Sequence, residues 1–247
     1  MEGHHQCIEL LLDRQADINA HDSNHKSPLY LASVQGHHQC IALLLDRKAD
    51  INAHDSNGNT ALHLASLKDH YQCIGVLVDH GADINAQNVS NTTPLHLASR
   101  YGNYDCVVVL LDRQANVNAQ NVSNTTALHL ASRYGNYECV VVLLDRQANI
   151  NAQNVSNTTP LHLASTYSLH RCIEFLLDRQ ADINARDSDN NTPLHLASSN
   201  CHRQCVAILL EHGADRSLLN VRVSLSLPLS WRLRASLVNG INTAIDQ

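Results

Sequence analysis

The stretch Thr93-Pro-Leu-His-Leu-Ala-Ser99 decides the fold of this 247-residue chain because it recurs at a fixed interval. The same pattern, with at most two substitutions, returns every 33 residues without an insertion. Its first leucines are Leu29, Leu62, Leu95, Leu128, Leu161 and Leu194. A column of cysteines keeps the same interval at Cys7, Cys40, Cys73, Cys106, Cys139, Cys172 and Cys205. A period of this length indicates a linear array of stacked structural repeats.

Each repeat has the pattern of two short helices followed by a turn. Thr93 suits a helix N-cap and Pro94 the first helical position, where the missing N–H of proline costs nothing. Gly102 then interrupts the helix, and a second apolar stripe follows at helical spacing from Cys106 to Leu111. Residues 116–125 are rich in Asn, which predicts a tight turn or hairpin. Two helices of about eight residues cannot bury their apolar faces alone, so neighbouring repeats must stack.

The repeat resembles the ankyrin repeat over residues 3–215. That family's pattern contains Thr-Pro-Leu-His-x-Ala, a glycine in the middle of the repeat, a leucine-rich second helix and the ending Gly-Ala-Asp-x-Asn. Here it reads TPLHLAS from Thr93 and then YGNYDCVVVLLDRQANVN from Tyr101. The resemblance implies an all-α repeat solenoid of helix-turn-helix units joined by a β-hairpin or loop. It also implies that the motif histidine ties neighbouring turns by hydrogen bonds, and that a concave face of turns and first helices binds other proteins.

The phase of the repeat divides the chain into three parts. Residues 1–23 form a partial ankyrin repeat with only its second helix. We expect from this half repeat that the sequence is a fragment, a short isoform or one with a misplaced start. Residues 24–215 form six ankyrin repeats, and residues 216–247 form a non-repeat C-terminal tail. From Leu219 to Ala235 this tail alternates apolar and polar residues, the period of a strand. Two interpretations stay open: an unstructured or spliced-in tail, and a segment that docks on a partner.

Several repeats lack the family's glycine at the end of the second helix, which is present only at Gly81 and Gly213. Other residues replace it at Gln15, Lys48, Gln114, Gln147 and Gln180. If the backbone there is left-handed, each replacement costs about 1 kcal/mol. We expect the turn residues equivalent to Gly58, mostly Asn, to tolerate positive φ. Tyr30 replaces the motif histidine and is expected to loosen the first complete repeat.

The cysteines and histidines are in register with the repeat, which favours packing roles. Equivalent positions on stacked helices lie about 8–10 Å apart, beyond the roughly 7 Å Cα separation that a disulfide allows. We expect all seven cysteines of the column on the buried side of the second helix. Cys201, His202 and Cys205 supply only three of the four ligands of a zinc site. We therefore expect no metal.

Charge and motifs exclude other classes of protein. The net charge of −6 argues against a nucleic-acid partner. The longest apolar runs are six residues, too short for a membrane span, and the N-terminus lacks a secretory signal. No nucleophile elbow, phosphate-binding loop or carboxylate pair stands apart from the repeat. The sequence predicts a cytoplasmic protein, with the nucleus as a second compartment, that has no enzymatic activity, no cofactor and no small-molecule substrate.

The residues before the mid-repeat glycine are the candidate binding site. In three successive repeats they place Tyr101, Tyr134 and Tyr167 one above another, with Arg100 and Arg133 beside them. Tyr and Arg are enriched among binding hot spots. The alternative is that recent duplication copied one tyrosine into the neighbouring repeats.

We therefore expect a protein-interaction scaffold that binds a protein or peptide in the concave ankyrin groove. The alternative function is a substrate-receptor or adaptor subunit of a ubiquitin-ligase or effector assembly, in which the tail contacts the machinery.

Overall fold

The computed structural model describes residues 2–218, with side chains described from His5 to Ser217. This part of the chain contains thirteen α-helices and one 3-10 helix, joined by loops. The first helices of the repeats are α2 (Pro28–Gln35), α4 (Ala61–Leu67), α6 (Pro94–Tyr101), α8 (Ala127–Tyr134), α10 (Pro160–Thr166) and α12 (Pro193–Ser199). The second helices are α1 (Glu2–Asp13), α3 (His38–Asp46), α5 (Tyr71–Asp79), α7 (Tyr104–Asp112), α9 (Tyr137–Asp145), α11 (His170–Asp178) and α13 (Arg203–Glu211). The 3-10 helix is Arg216–Leu218. The alternating segment predicted from Leu219 onward lies outside the described residues.

Contacts divide the chain into two compact units. Among the described residues, the first consists of 2–131 and Glu138–Asn149, and the second of Ser132–Tyr137 and 150–218. In the first unit, α2, α4 and α6 form one row, each packed on the next, and α1, α3, α5 and α7 form another. In the second unit, α10 packs on α12 and α11 on α13. Each unit therefore stacks first helices on first helices and second helices on second helices, as the period predicts.

The apolar core of each unit lies between these two rows of helices. In α7, Cys106, Val107, Leu110 and Leu111 are buried, the four positions that the helical spacing selects. Six of the seven cysteines of the column are buried, but Cys7 is exposed. The prediction that the whole column is buried is therefore wrong at Cys7. The reason is that no first helix precedes α1 in the described residues to cover it.

The turns between repeats are short loops, here called fingers, at residues 20–27, 53–60, 86–93, 119–126, 152–159 and 185–192. In the finger of residues 86–93, the side-chain Oδ1 of Asn88 accepts hydrogen bonds from the N–H groups of Ser90 and Thr92. Asp or Asn at the start of every finger closes it in the same way. The part of the chain that the structure describes has no strand, only an isolated bridge between His54 and Thr60. Of the two expected connections, the loop is the one that forms.

A left-handed residue ends every second helix, whichever side chain occupies the position. Gln15, Lys48, Gln114, Gln147 and Gln180 have φ between 64° and 70°. The finger residues equivalent to Gly58 also have positive φ, which confirms both expectations from the sequence. Asp69, Ser168 and Cys201 take the left-handed conformation at the mid-repeat glycine position, with φ of 63°, 62° and 59°. The fold therefore imposes this conformation on residues that disfavour it.

Replacing Gln114, Gln147 and Gln180 together by Gly tests this strain. Glycine adopts φ near 65° without a Cβ clash, so we expect the free energy of unfolding to rise by up to about 1 kcal/mol per site. The measurement is a urea unfolding curve of the triple variant against the parent protein.

The matched control is the replacement of Gln87, Gln120 and Gln153 by Gly. These three glutamines are exposed in the fingers and have no positive φ. Glycine there only adds entropy to the unfolded chain, so the control is expected to lower the urea midpoint. A fall of equal size in both triple variants would contradict the account.

Candidate functional site

Buried histidines bridge three first helices, α4, α6 and α10, to the finger that follows each of them. In α6, Nδ1 of His96 accepts a hydrogen bond from the backbone N–H of Thr93 at 3.1 Å, and Thr93 Oγ1 lies 2.8 Å from the same nitrogen. Its Nε2 lies 2.9 Å from the carbonyl oxygen of Thr125. Because Nδ1 accepts, the ring is neutral and Nε2 donates to that carbonyl. The same bridge joins His63 to Thr92 and His162 to Asn191, which confirms the tie implied by the resemblance.

Burial shifts the titration of these histidines. It lowers the pKa of His63, His96 and His162 below the ordinary value, although the carbonyl that each Nε2–H meets opposes the shift. Protonation would also place a proton on Nδ1, directly against the threonine N–H. The three neutral imidazoles therefore serve to hold the fingers in place by hydrogen bonds.

A second ladder of hydrogen bonds joins the loops that follow the second helices. In the first unit, Oδ1 of Asn85 accepts from the N–H of Asn116 at 2.8 Å, and Asn118 accepts from Asn149 at 2.7 Å. In the second unit, Asn151 accepts from Asp182 at 2.8 Å. Each of these asparagine side chains therefore ties its loop to the equivalent loop of the next repeat.

Burial suppresses the reactivity of cysteines in the column, whereas Cys7 and Cys201 are exposed. Burial raises the pKa of the Cys73 thiol to about 11 and that of Cys139 to about 12, so both are thiols at neutral pH. In the second unit, His202 places Nε2 at 2.9 Å from the carbonyl oxygen of Thr166, and Cys205 is buried beside Ser168. These two side chains are therefore engaged with the preceding repeat. Among the described residues, no group of three metal-ligating side chains is close enough to hold an ion.

The first unit holds one part of the predicted binding site. Arg100 and Tyr101 are the last two residues of α6, and the guanidinium carbon of Arg100 lies 5.5 Å from the centre of the Tyr101 ring. Tyr101 is 54% exposed. This distance is that of a cation–π pair, which holds both side chains at the end of the helix.

The second unit holds the other part. Arg133 and Tyr134 end α8, and Tyr167 follows the last residue of α10. The guanidinium carbon of Arg133 lies 5.8 Å from the centre of the Tyr134 ring and 5.3 Å from that of Tyr167. Tyr134 and Tyr167 are 46% and 45% exposed. The structure therefore brings Arg133, Tyr134 and Tyr167 together, while the stacking of Tyr101 with the other two tyrosines stays a prediction.

Sequence reasoning missed three exposed valines at the tips of the fingers. Val89, Val122 and Val155 are 71%, 60% and 64% exposed. Their equivalents in the other fingers are Ser23, Ser56 and Ser188. The signal was available in the sequence, because an apolar residue in the middle of an Asn-rich turn has no core to enter. The same three repeats that carry the tyrosines thus also present valines to solvent.

The stacked helix pairs, and the histidine and asparagine hydrogen bonds between repeats, define the class of the protein. It is a tandem-repeat protein whose helix pairs are joined by fingers. The sequence model described as Ankyrin repeats (3 copies) matches residues 1–88, 87–154 and 150–220, and the chain belongs to the ankyrin repeat family. Ankyrin repeat domains bind proteins. None of the curated proteins compared with the chain matches it.

Two solved structures are similar along most of their length. The human ASB11 ankyrin repeat domain has 30% sequence identity and a TM-score of 0.75, and the match covers 86% of this chain and 97% of that one. The ankyrin repeat domain of Bcl-3, titled a unique member of the IkappaB protein family, has 30% identity and a TM-score of 0.73, with 83% and 91% covered. Among the described residues, no helix is long and apolar enough to cross a membrane.

The buried histidines predict how stability depends on pH. Since their pKa is below 6.5 in the folded protein, the unfolded chain binds protons more readily. Their stabilising effect is complete above about pH 6.5 and is lost progressively as the pH falls below it. We expect the urea midpoint to fall between pH 7.5 and pH 5.5.

A variant with His96 replaced by Gln serves as the comparison for that pH series. It should be less stable than the parent at pH 7.5, and its urea midpoint should fall less on acidification because one buried titrating group is gone. A midpoint that stays constant or rises on acidification of the parent protein would contradict this interpretation of the histidines.

Proposed function

We propose that the chain is a non-enzymatic interaction module that binds a protein or peptide partner through the ends of its first helices. The proposed contact residues are Arg100, Tyr101, Arg133, Tyr134 and Tyr167. The observation that carries the proposal is the repeated exposure of tyrosine, in contact with arginine, at one position of the repeat. By family resemblance this position faces the concave groove.

The chemistry of these side chains supports a binding role. A half-exposed tyrosine offers a large, rigid apolar surface and a hydroxyl that can form a hydrogen bond to a partner. Each ring lies against a guanidinium, so little further side-chain entropy is lost on binding. The three exposed valines extend the apolar surface of the same repeats towards the fingers. A partner that covers rings and valines would remove apolar surface from water in every one of these repeats.

The groups capable of covalent chemistry support the absence of an enzymatic role. His63, His96 and His162 donate to finger carbonyls and accept from threonine N–H groups, and burial raises the pKa of the Cys73 and Cys139 thiols. Both kinds of side chain are therefore occupied by the scaffold. Compartment and assembly remain proposals: we propose a cytoplasmic protein, with the nucleus as a second compartment.

The alternative function, an adaptor in a ubiquitin-ligase or effector assembly, rests on residues 216–247. Nearly all of that segment lies outside the described residues, so it stays a prediction from the sequence. Deletion of residues 216–247 separates the two functions. A scaffold of the proposed kind keeps its partner without the tail, whereas the adaptor would lose the assembly's components.

Truncation of Tyr101, Tyr134 and Tyr167 to Ala tests the proposed surface. We expect the three changes together to weaken binding of a partner, verified with purified components, by at least about 2 kcal/mol, because aromatic hot-spot contacts are lost. Binding is measured by calorimetry. Far-ultraviolet circular dichroism should show an unchanged fold, since the rings are half exposed.

The matched control truncates Tyr71 and Tyr104, which are 45% and 44% exposed and lie at the start of second helices. This control removes the same chemistry from the other row of helices and should leave the affinity unchanged. Unchanged affinity of the first variant, or an equal loss in the control, would exclude the proposed surface.

A further inference from the structure

One arginine of the second unit lies over two aromatic rings. The guanidinium carbon of Arg133 lies within 6 Å of the ring centres of both Tyr134 and Tyr167, which stand at the ends of two different first helices. All three side chains are exposed. Cation–π contacts are made through the faces of a guanidinium and its partner rings, so they leave hydrogen-bonding N–H groups at the guanidinium edge for another acceptor. We call this group of three residues the Arg133 clasp.

Arg133 forms no ion pair with a carboxylate of the described residues. The other exposed arginines of the repeats include Arg113 and Arg146, which pair with Asp79 and Asp112 of the preceding second helices. Arg133 differs from these two because its guanidinium is oriented by rings instead of by a carboxylate.

The sequence around the clasp is depleted of negative charge in a chain that is acidic as a whole. The repeats carry 13 Lys and Arg against 22 Asp and Glu over residues 1–215. Yet residues 119–137, which contain Arg133 and Tyr134, hold no Asp or Glu, and neither do residues 152–173, which contain Tyr167. The fingers at residues 20–27, 53–60 and 185–192 each contain Asp. The carboxylates of the tyrosine-bearing repeats are on second helices and the loops that follow them.

From this arrangement we propose that the Arg133 clasp binds an acidic peptide segment, with an Asp or Glu carboxylate on the guanidinium and apolar side chains on the two rings. The inference rests on the proposed function and specifies the chemistry of the partner. A planar guanidinium that lies over two rings can donate two parallel N–H···O bonds to a carboxylate. Local positive charge without competing carboxylates favours such a segment over a neutral one.

The valine at the tip of the neighbouring finger adds to the same expectation. Val155 belongs to the repeat that contributes Tyr167, and 64% of it is exposed. An acidic residue alone would leave the rings and this valine uncovered. We therefore expect acidic residues interspersed with apolar ones in the bound segment.

A selection from a random library of twelve-residue peptides, displayed on phage and panned against the full chain, tests the inference. Selected peptides are then synthesised with a fluorescent label, and their affinities are measured by anisotropy. The expected result is enrichment of Asp and Glu beside apolar residues. Affinity for these peptides should fall about tenfold or more in Arg133→Gln, since hydrogen bonds to a charged group are lost.

Two further variants make the test specific. Arg133→Lys keeps the positive charge but removes the planar guanidinium, so we expect a loss of affinity intermediate between those of the parent protein and Arg133→Gln. Arg171→Gln removes the same charge from the same unit, and Arg171 also lies over a tyrosine ring, 4.2 Å from the centre of Tyr137, but on a second helix. Affinity should be unchanged in this control. Added salt should weaken binding to the parent protein and have less effect on Arg133→Gln.

Four outcomes would overturn the inference. Selected peptides without acidic residues would show that the surface binds peptides by other chemistry, and the proposed function would survive. Equal losses of peptide affinity in Arg133→Gln and Arg171→Gln would show that only the net charge of the protein matters. Tighter binding of a single-stranded oligonucleotide than of any selected peptide would assign the clasp to nucleic acid. Failure to select any peptide would also contradict it, and the triple-tyrosine experiment would then decide the proposed function separately.

Discussion

The hydrogen bond from a buried histidine to the carbonyl of the following finger is the interaction on which the repeats depend. Each imidazole spans two repeats, because its Nδ1 accepts from the threonine that caps its own helix and its Nε2 donates to the next finger. A single buried ring therefore fixes the helix start, the finger and the spacing between them. Loss of the ring would leave a buried carbonyl without a partner, which costs more than the hydrogen bond contributes.

The scaffold engages its buried motif histidines and buried cysteines and leaves other side chains exposed. Buried histidines and cysteines serve packing and register, while the ends of first helices and the finger tips carry tyrosine, arginine and valine to the surface. Selection on the scaffold does not require tyrosine at positions 101, 134 and 167, where other repeats have Gln35, Lys68 and Asn200. These positions can consequently vary between repeats without loss of the fold.

The sequence predicts most of the fold because the 33-residue period places every helix and every left-handed turn. It fails where a neighbour decides the outcome. Cys7 is in register with six buried cysteines but is exposed, since burial depends on a covering helix and not on the residue. The sequence also gave no sign that the Tyr30 hydroxyl lies 3.4 Å from a carboxylate oxygen of Asp55 in the next finger; whether Tyr30 loosens its repeat stays a prediction. The five candidate site residues are predicted from register alone, but the contact of Arg133 with two rings required side-chain positions.

Nuclear magnetic resonance of the protein with ¹⁵N-labelled histidine tests the central role of the buried bridges most directly. We expect His63, His96 and His162 to carry their proton on Nε2 at pH 7, and this proton to exchange slowly with water. Because burial lowers their pKa, each ring should still be neutral at pH 6.5 and become protonated only below it. Protonation of these rings near pH 6.5 in a folded protein, or a proton on Nδ1, would contradict the account.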